Sequence, residues 1–444
     1  MDNNDTNKIF EEVVEEKYPP IDTSKFLPLT TQDIIGTLGL TIKKDETNKL
    51  ITFLSQLSAY TESSQINISF NAPSSSGKSF IPLEISQLFP PEDVLKLGGC
   101  SPTAFFHDQG VYDKETNTIR VDLSRKIIIF LDQPNSQLLE KLRSLLSHDE
   151  KEIHLKITDK NQRGGNRTKN VILIGFPVVI FCTAGLRLDE QEATRFLLLS
   201  PEINKEKIRE AIDEKIKKDS DSVTYKRVLE ANPDRQLLKE RILAIRQENI
   251  KGIKIKTPEL IEQRFFEKVK SLKPRHQRDI GRIISIIKVS ALLNLWHRER
   301  EGLTLIANQE DIEQAFVMWN LIWESQELNL PPYVYDMYKD VIVSAYSNKN
   351  SGSGGGVGLG LTRQEILQKH FDIYGRFLPD WQLRQHIIPM LETSGLITQE
   401  ADQNDKRKIL IYPTASPAIP NEANNSELDS GVEMQGVVGE AVST

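Results

Sequence analysis

Between Ile66 and Phe80 the chain reads INISFNAPSSSGKSF. An apolar run that suits a buried strand is followed by a loop of small residues, then by Gly77-Lys78-Ser79 opening a helix. That order and spacing is the layout of a phosphate-binding loop. Its backbone, Ala72-Pro73-Ser74-Ser75-Ser76-Gly77-Lys78-Ser79-Phe80, curls so that N–H groups converge on an anion. Lys78 reaches the β- and γ-phosphates, and the Ser79 hydroxyl ligates Mg²⁺. The helix adds the positive end of its dipole. Ala72 stands where such loops usually begin with glycine, a small change in size. A serine-rich turn with a chance Gly-Lys-Ser would need strand, loop and spacing to agree by accident. The cofactors expected are ATP and Mg²⁺.

A second strand signal, Lys126–Leu131 (KIIIFL), is apolar on both faces and ends in Asp132. Ligands gather at the C-terminal ends of parallel strands. Asp132 is therefore the expected Mg²⁺ partner of Ser79, directly or through water; the bland alternative is a strand-end turn aspartate. The next residue is Gln133. A carboxamide can hold a water but cannot take its proton, so hydrolysis is slow, uses another base or is absent. Phosphoryl transfer depends mainly on positioning and electrostatics, so Gln133 leaves activity open. A third strand, Val178–Cys182, ends in Thr183, which can bond the γ-phosphate or the attacking water. Arg195 lies twelve residues on, in DEQEATRF. It suits an arginine finger acting on a neighbouring subunit's ATP, against the plain reading of a surface arginine.

These residues need a rigid frame. Strands alternating with helices behind a phosphate loop indicate an α/β fold with a parallel sheet. Helical periodicity runs through residues 30–58 ahead of the loop, and Ser136–Leu146 shows one apolar face. Beyond residue 203 the pattern is mostly helical to 347. The boundaries expected are an acidic flexible arm (1–25), a nucleotide-binding core (26–202), a helical domain (203–347), a Gly/Ser linker (348–361), a small module (362–413) and a disordered acidic tail (414–444). With 444 residues, 38% hydrophobic and 27% charged, the chain has room for two or three domains. No apolar run approaches about eighteen residues, so no membrane span is expected. The acidic, polar N-terminus does not read as a secretory signal, and a cytoplasmic location is expected. Cys100 and Cys182 read as buried free thiols, and the histidines, scattered without Cys/His clustering, give no pattern for a structural zinc site. The net charge of −7 does not itself point to nucleic acid, leaving local basic patches to decide.

Together APSSSGKS (Ala72–Ser79), IIIFLDQ (Ile127–Gln133), the Thr183 strand end and ATRF (Ala193–Phe196) resemble the AAA+ ATPases. Within them the chain is most similar to minichromosome-maintenance (MCM)-like replicative helicases and related helicases of viruses and mobile elements. The resemblance spans about residues 30–330 and the module at 362–413. It implies an AAA+ core, a helical lid domain and a C-terminal winged helix. It also implies a homo-oligomeric ring, a hexamer being one form. It places a sensor-2 arginine in RDIGRIISIIKVSALL (Arg278–Leu293), with Arg282 the first choice at the nucleotide and Arg278 the second. The chain departs from the family at Ala72, Gln133 and Thr183.

Two further segments bear on partners. Glu152–Ile174 alternates on both sides of Gly164-Gly165, a hairpin signal. Its basic residues are Lys160, Arg163, Arg167 and Lys169. Alone they are ordinary surface charges; in the resembling helicases a hairpin here grips DNA inside the ring. In the C-terminal module, Thr362 and Glu365 form a capping box and Trp381–Ser394 makes a second helix, capped by Asp380 and kinked at Pro389. A hairpin then completes a winged-helix pattern that suits duplex DNA or a docking partner. The leading expectation is a DNA-acting, ATP-driven ring motor, a helicase or helicase loader. The runner-up is a nucleotide-gated scaffold or DNA-binding regulator with little hydrolysis.

Overall fold

The computed structural model describes residues 18–106, 110–113, 118–159, 167–184, 194–269, 271–351, 359–402 and 405–414. In chain order the strands of the first half are β1 (Ile68–Asn71), β2 (Val94–Leu97), β3 (Val111–Asp113), β4 (Thr118–Asp122), β5 (Ile127–Phe130), β6 (Glu152–Asp159), β7 (Arg167–Ile174), β8 (Val178–Thr183) and β9 (Leu197–Leu199). Strands apolar on both faces must be covered on both. The main sheet does this in the order β2-β5-β8-β1-β9, every pairing parallel. Ile68, Phe70, Ile127, Ile129 and Ile180 face one core; Ile128, Phe130, Val179 and Phe181 face the other. Helices Thr31–Leu38 and Glu46–Leu57 pack on the first side, and Ser136–Leu146 on the second.

A second sheet, β3-β4-β7-β6, forms from two hairpins joined by the parallel β4–β7 pairing. The β6–β7 hairpin is the one expected from sequence. The β3–β4 hairpin was not read, because its first strand is three residues long and its pattern is brief. β7 turns into β8 at Gly175, whose φ of +89° and closeness to Ser124 leave no room for a side chain.

Past β9, Lys205–Ser220 and Ser222–Glu230 form a helix pair with no buried residue; Asp221 breaks the run and caps the second helix at the Thr224 N–H. Pro233–Glu248, Pro258–Lys268, His276–Leu293 and Gln309–Glu327 then make a helical body. Within it β10 (Gly252–Ile255), β11 (Arg300–Glu301) and β12 (Thr304–Ala307) form a small sheet that helical periodicity did not foretell. Helix His276–Leu293 ends ahead of β11. Leu238, Ile242, Ile283, Ile287 and Trp319 join the same apolar core as the main sheet, so the body is continuous with it. Residues 18–25, expected in the flexible arm, lie against it. The Tyr18 hydroxyl donates to Glu92 at 3.0 Å, and Asn294 holds both backbone groups of Leu29.

The C-terminal module has helix Arg363–Tyr374, whose Thr362–Glu365 capping box forms as expected. It ends at Gly375 in the left-handed region, φ +64°. The second helix starts at Asp380, with Pro379 rather than Asp380 at the cap position. A π-turn over Leu383–Ile387 precedes Pro389, which lacks the N–H an α-turn would use. Strands β13 (Ile397–Ala401) and β14 (Ile409–Pro413) close the module. The linker composition suggests free movement, but the module is docked. Leu361, Ile366, Leu383, Ile387 and Ile411 share a core with Tyr333, Val334, Met337, Val341 and Ile342. The Asn350 side chain also pins the far end of the linker, accepting from the Leu359 N–H at 2.7 Å.

The edge strand β9 is completed by a side chain. Buried Gln326 donates to the Leu198 carbonyl at 2.8 Å and accepts from its N–H at 3.2 Å. Gln326→Leu fills the same space but leaves both groups unpaired in an apolar setting. Urea denaturation of this variant is expected to show a loss of about 3 kcal/mol, the scale of two unsatisfied buried groups.

Candidate nucleotide site

The site stands at the C-terminal ends of the parallel strands, where β1, β8 and β5 finish side by side. Asn71 pairs with Thr183 at the last register position of β1 and β8. The Ala72 N–H continues that ladder to the Thr183 carbonyl at 3.3 Å, and Ala72 is fully buried. Only a small residue fits there, which explains why alanine serves for glycine. The loop then turns through Ser75 at φ +63° and Gly77 at φ +90°. No atom lies within contact of the Gly77 Cα face, so the concave side is open to a ligand. The helix behind it is Phe80–Ile85 followed by a 3₁₀ turn, Ser86–Leu88. It stops before Phe89, whose backbone is extended because the residue before Pro90 is pushed out of helical geometry.

Lys78 folds back across the loop and donates to the Pro73 carbonyl at 2.9 Å. Burial holds its pKa below the ordinary lysine value, and the nearby Arg376 charge adds to that, against Cys182 and Asp132. An anion in the loop would restore the balance. The Ser76 hydroxyl is buried with no hydrogen-bond partner, an acceptor-seeking group of the kind a phosphate satisfies. Ser74 to Gly77 line a cavity of about 800 Å³ whose other walls include Thr41, Phe80 and Ile208. These features fit a nucleotide and its phosphates. Ser79 would hold a Mg²⁺ ion with Asp132, and that ion would neutralise phosphate charge. The Ser79 hydroxyl presently bonds the thiol of Cys182, whose pKa burial pushes up to about 11, leaving a neutral, unreactive group.

Asp132 and Gln133 are exposed just past β5. Thr183, buried at the end of β8, donates its hydroxyl to Gln133 Oε1 at 3.1 Å. Gln133 thus keeps its NH₂ for an outside partner. It can donate to a phosphate or water oxygen but cannot accept a proton from one. Lys78, Ser79, Asp132, Gln133 and Thr183 are brought together as their spacing suggested.

Arg195, Arg278 and Arg282 are not part of that group. Arg195 lies two residues before β9, whose Leu197 pairs with Ile68 at the opposite end of β1 from the loop. Strand rise puts that end about 13 Å from the start of the P-loop at Ala72, and Arg195 lies two residues further back still. Arg195 donates to Ser147 Oγ at 2.9 Å, and Arg282 to the Thr194 and Phe196 carbonyls at 2.8 and 2.9 Å. Arg278 bonds the Thr194 hydroxyl, and Asp279 pairs with Arg282 at 3.0 Å. Burial lowers the Arg282 pKa to about 10, still charged at neutral pH. Arg282 is thus placed away from its own chain's loop, among the Thr194 and Phe196 carbonyls.

A family model described as MTBMA_p00010 P-loop domain matches residues 34–240. Over that span the chain is similar to a P-loop domain. The match carries past β9 through the helix pair Lys205–Ser220 and Ser222–Glu230. No curated protein matches the chain. A P-loop domain is a nucleotide-binding kind of domain, and the parallel sheet flanked by helices agrees with the match. Among the described residues no helix is long and apolar enough to cross a membrane.

In the basic hairpin, Arg167 and Lys169 occupy β7 positions opposite Asp159 and Ile157. Lys160 and Arg163 lie outside the described residues. Sequence reasoning missed Arg376, whose guanidinium donates to the Ser74 carbonyl at 2.7 Å from 302 positions away. No local pattern marks such a residue. Lys78→Ala removes the one loop cation and is expected to weaken MgATP binding by more than about tenfold in calorimetry, the scale of a charge-assisted phosphate contact.

Proposed function

We propose that this chain is an AAA+-type ATPase that assembles into a ring and acts on DNA, as a helicase or helicase loader of the MCM-like kind. The observation that carries this reading is the division of the site between two ends of one sheet. Lys78, Ser79, Asp132, Gln133 and Thr183 sit at one end; Arg195, Arg278 and Arg282 gather at the other. A guanidinium cannot cross the sheet to its own nucleotide. A head-to-tail neighbour, however, presents its arginine end to the next chain's phosphate end, and a rotation that closes makes a ring. In that arrangement Lys78 holds the β- and γ-phosphates, and Gln133 and Thr183 position a water by hydrogen bonding. The neighbour's Arg195 faces the charge that develops on the transferred phosphoryl group. Arg282 then serves the neighbour's nucleotide, or braces Arg195 through the Thr194 and Phe196 carbonyls.

The DNA part of the reading is supported by the second sheet. β4 and β7 are parallel, so the β3–β4 and β6–β7 hairpins open at the same end, and the β6–β7 segment carries Lys160, Arg163, Arg167 and Lys169. Two helices and a hairpin in the C-terminal module support its reading as a winged helix. The second reading, a nucleotide-gated scaffold with little turnover, is favoured by Gln133, whose oxygen is already engaged by Thr183.

Two experiments test these points. Lys78→Ala and Arg195→Ala chains, each inactive alone, are expected to regain about a quarter of wild-type ATPase when mixed equally, because that share of random interfaces pairs an intact loop with an intact finger. No recovery on mixing, with each variant folded, would sink the shared site. Arg163→Ala with Arg167→Ala is expected to weaken DNA binding and reduce its log–log salt slope by roughly two. An unchanged slope would remove DNA contact by this hairpin.

A further inference from the structure

We propose that Arg376, carried by the C-terminal module, is a nucleotide-binding residue of its own chain, taking the polyphosphate of a bound nucleoside triphosphate and so clamping the module onto the P-loop. This rests on the reading of the loop as a nucleotide site.

Arg376 reaches that loop by construction. Helix Arg363–Tyr374 stops where Gly375 turns left-handed, and the Gly375 N–H bonds the Phe371 carbonyl at 2.8 Å. The turn directs the next residue away from the helix, and its side chain meets the Ser74 carbonyl. The Arg376 backbone is held as well. His370 Nδ1 lies 3.1 Å from the Arg376 carbonyl, and His370 Nε2 lies 2.9 Å from the Tyr333 hydroxyl. The Tyr333 N–H in turn donates to Ser200 Oγ at 3.0 Å, and Ser200 donates to the Asn71 carbonyl at 2.6 Å. Asn71 is the last residue of β1, directly ahead of the loop. A closed circuit of hydrogen bonds thus runs from the loop strand through Ser200, Tyr333 and His370 to Arg376 and back to the loop. His370 and Ser200 are buried within it.

The chemistry favours an anion over the present partner. A peptide carbonyl is a neutral acceptor; a phosphate oxygen is charged, and a guanidinium forks onto it with two parallel bonds. The Arg376 residue is exposed, and only a hydrogen bond to a neutral carbonyl holds its guanidinium at Ser74. It shares the cavity wall with Ser74–Gly77, and Tyr374 and Gly375 line the same space. Lys78 and Arg376 already feel each other's charge across it. Two cations around one loop repel until an anion lies between them.

The test uses the full chain and MgATP in calorimetry, with Lys78→Ala alongside. Arg376→Ala is expected to weaken MgATP binding about tenfold or more, with Arg376→Lys restoring part of it. Tyr333→Phe, which cuts the circuit but keeps the packing, is expected to give a smaller loss in the same direction. Amide hydrogen exchange over 363–374 is expected to slow with MgATP in the wild type and not in Arg376→Ala. Wild-type affinity in Arg376→Ala, while Lys78→Ala loses binding, would make Arg376 a mere tether and overturn the proposal. No nucleotide binding by the wild type at all would overturn the nucleotide reading itself, and this proposal with it.

Discussion

The nucleotide end of the molecule depends on the seating of β8 between β1 and β5. Every residue of β8 is buried, and ladder bonds fix it from both sides. Its last residue, Thr183, then serves two neighbours. The carbonyl receives the Ala72 N–H and sets where the loop departs; the hydroxyl donates to Gln133 and sets how the amide presents itself. A one-residue slip in β8 would turn its side chains to the wrong face and move both contacts. The loop, the aspartate strand and the polar strand end are therefore one rigid unit. Such rigidity is what a site that works by positioning requires.

The same sheet separates charge. Lys78 and the loop occupy one end; Arg195, Arg278 and Arg282 occupy the other, tied to Thr194, Phe196 and Ser147. The arginines reach the second end because helix Ser136–Leu146 and helix His276–Leu293 both bring polar groups there. On the proposed reading, a chain so divided needs a neighbour to complete either end. The C-terminal module adds a third contributor, docked through a shared apolar core and touching the loop at Ser74.

The parts legible in the sequence were those with strong local signals. Continuous apolar runs gave β5 and β8, small residues before Gly-Lys-Ser gave the loop, and Thr362 with Glu365 gave a cap within a residue. Short strands with weak alternation, β3 and β10 to β12, were missed, since two to four residues carry too little pattern against helical surroundings. Which end of the sheet Arg282 occupies could not be read, because its place depends on how helix His276–Leu293 crosses the sheet, a tertiary fact. Arg376 and the Tyr333–His370 link were invisible for the same reason. They are polar contacts between segments far apart in the chain, and nothing in either segment marks the partner. The linker composition spoke for mobility, while the buried faces on either side of it decided for docking.

The most direct test of a site completed by two chains is sedimentation velocity of the wild type with and without MgATP, beside ATP turnover measured over the same concentrations. A shift to a large closed assembly with MgATP, with turnover per chain rising as the assembly forms, is the expected result. Full turnover by a species that stays monomeric at every concentration would contradict it, because Arg195 could then have no part in the reaction.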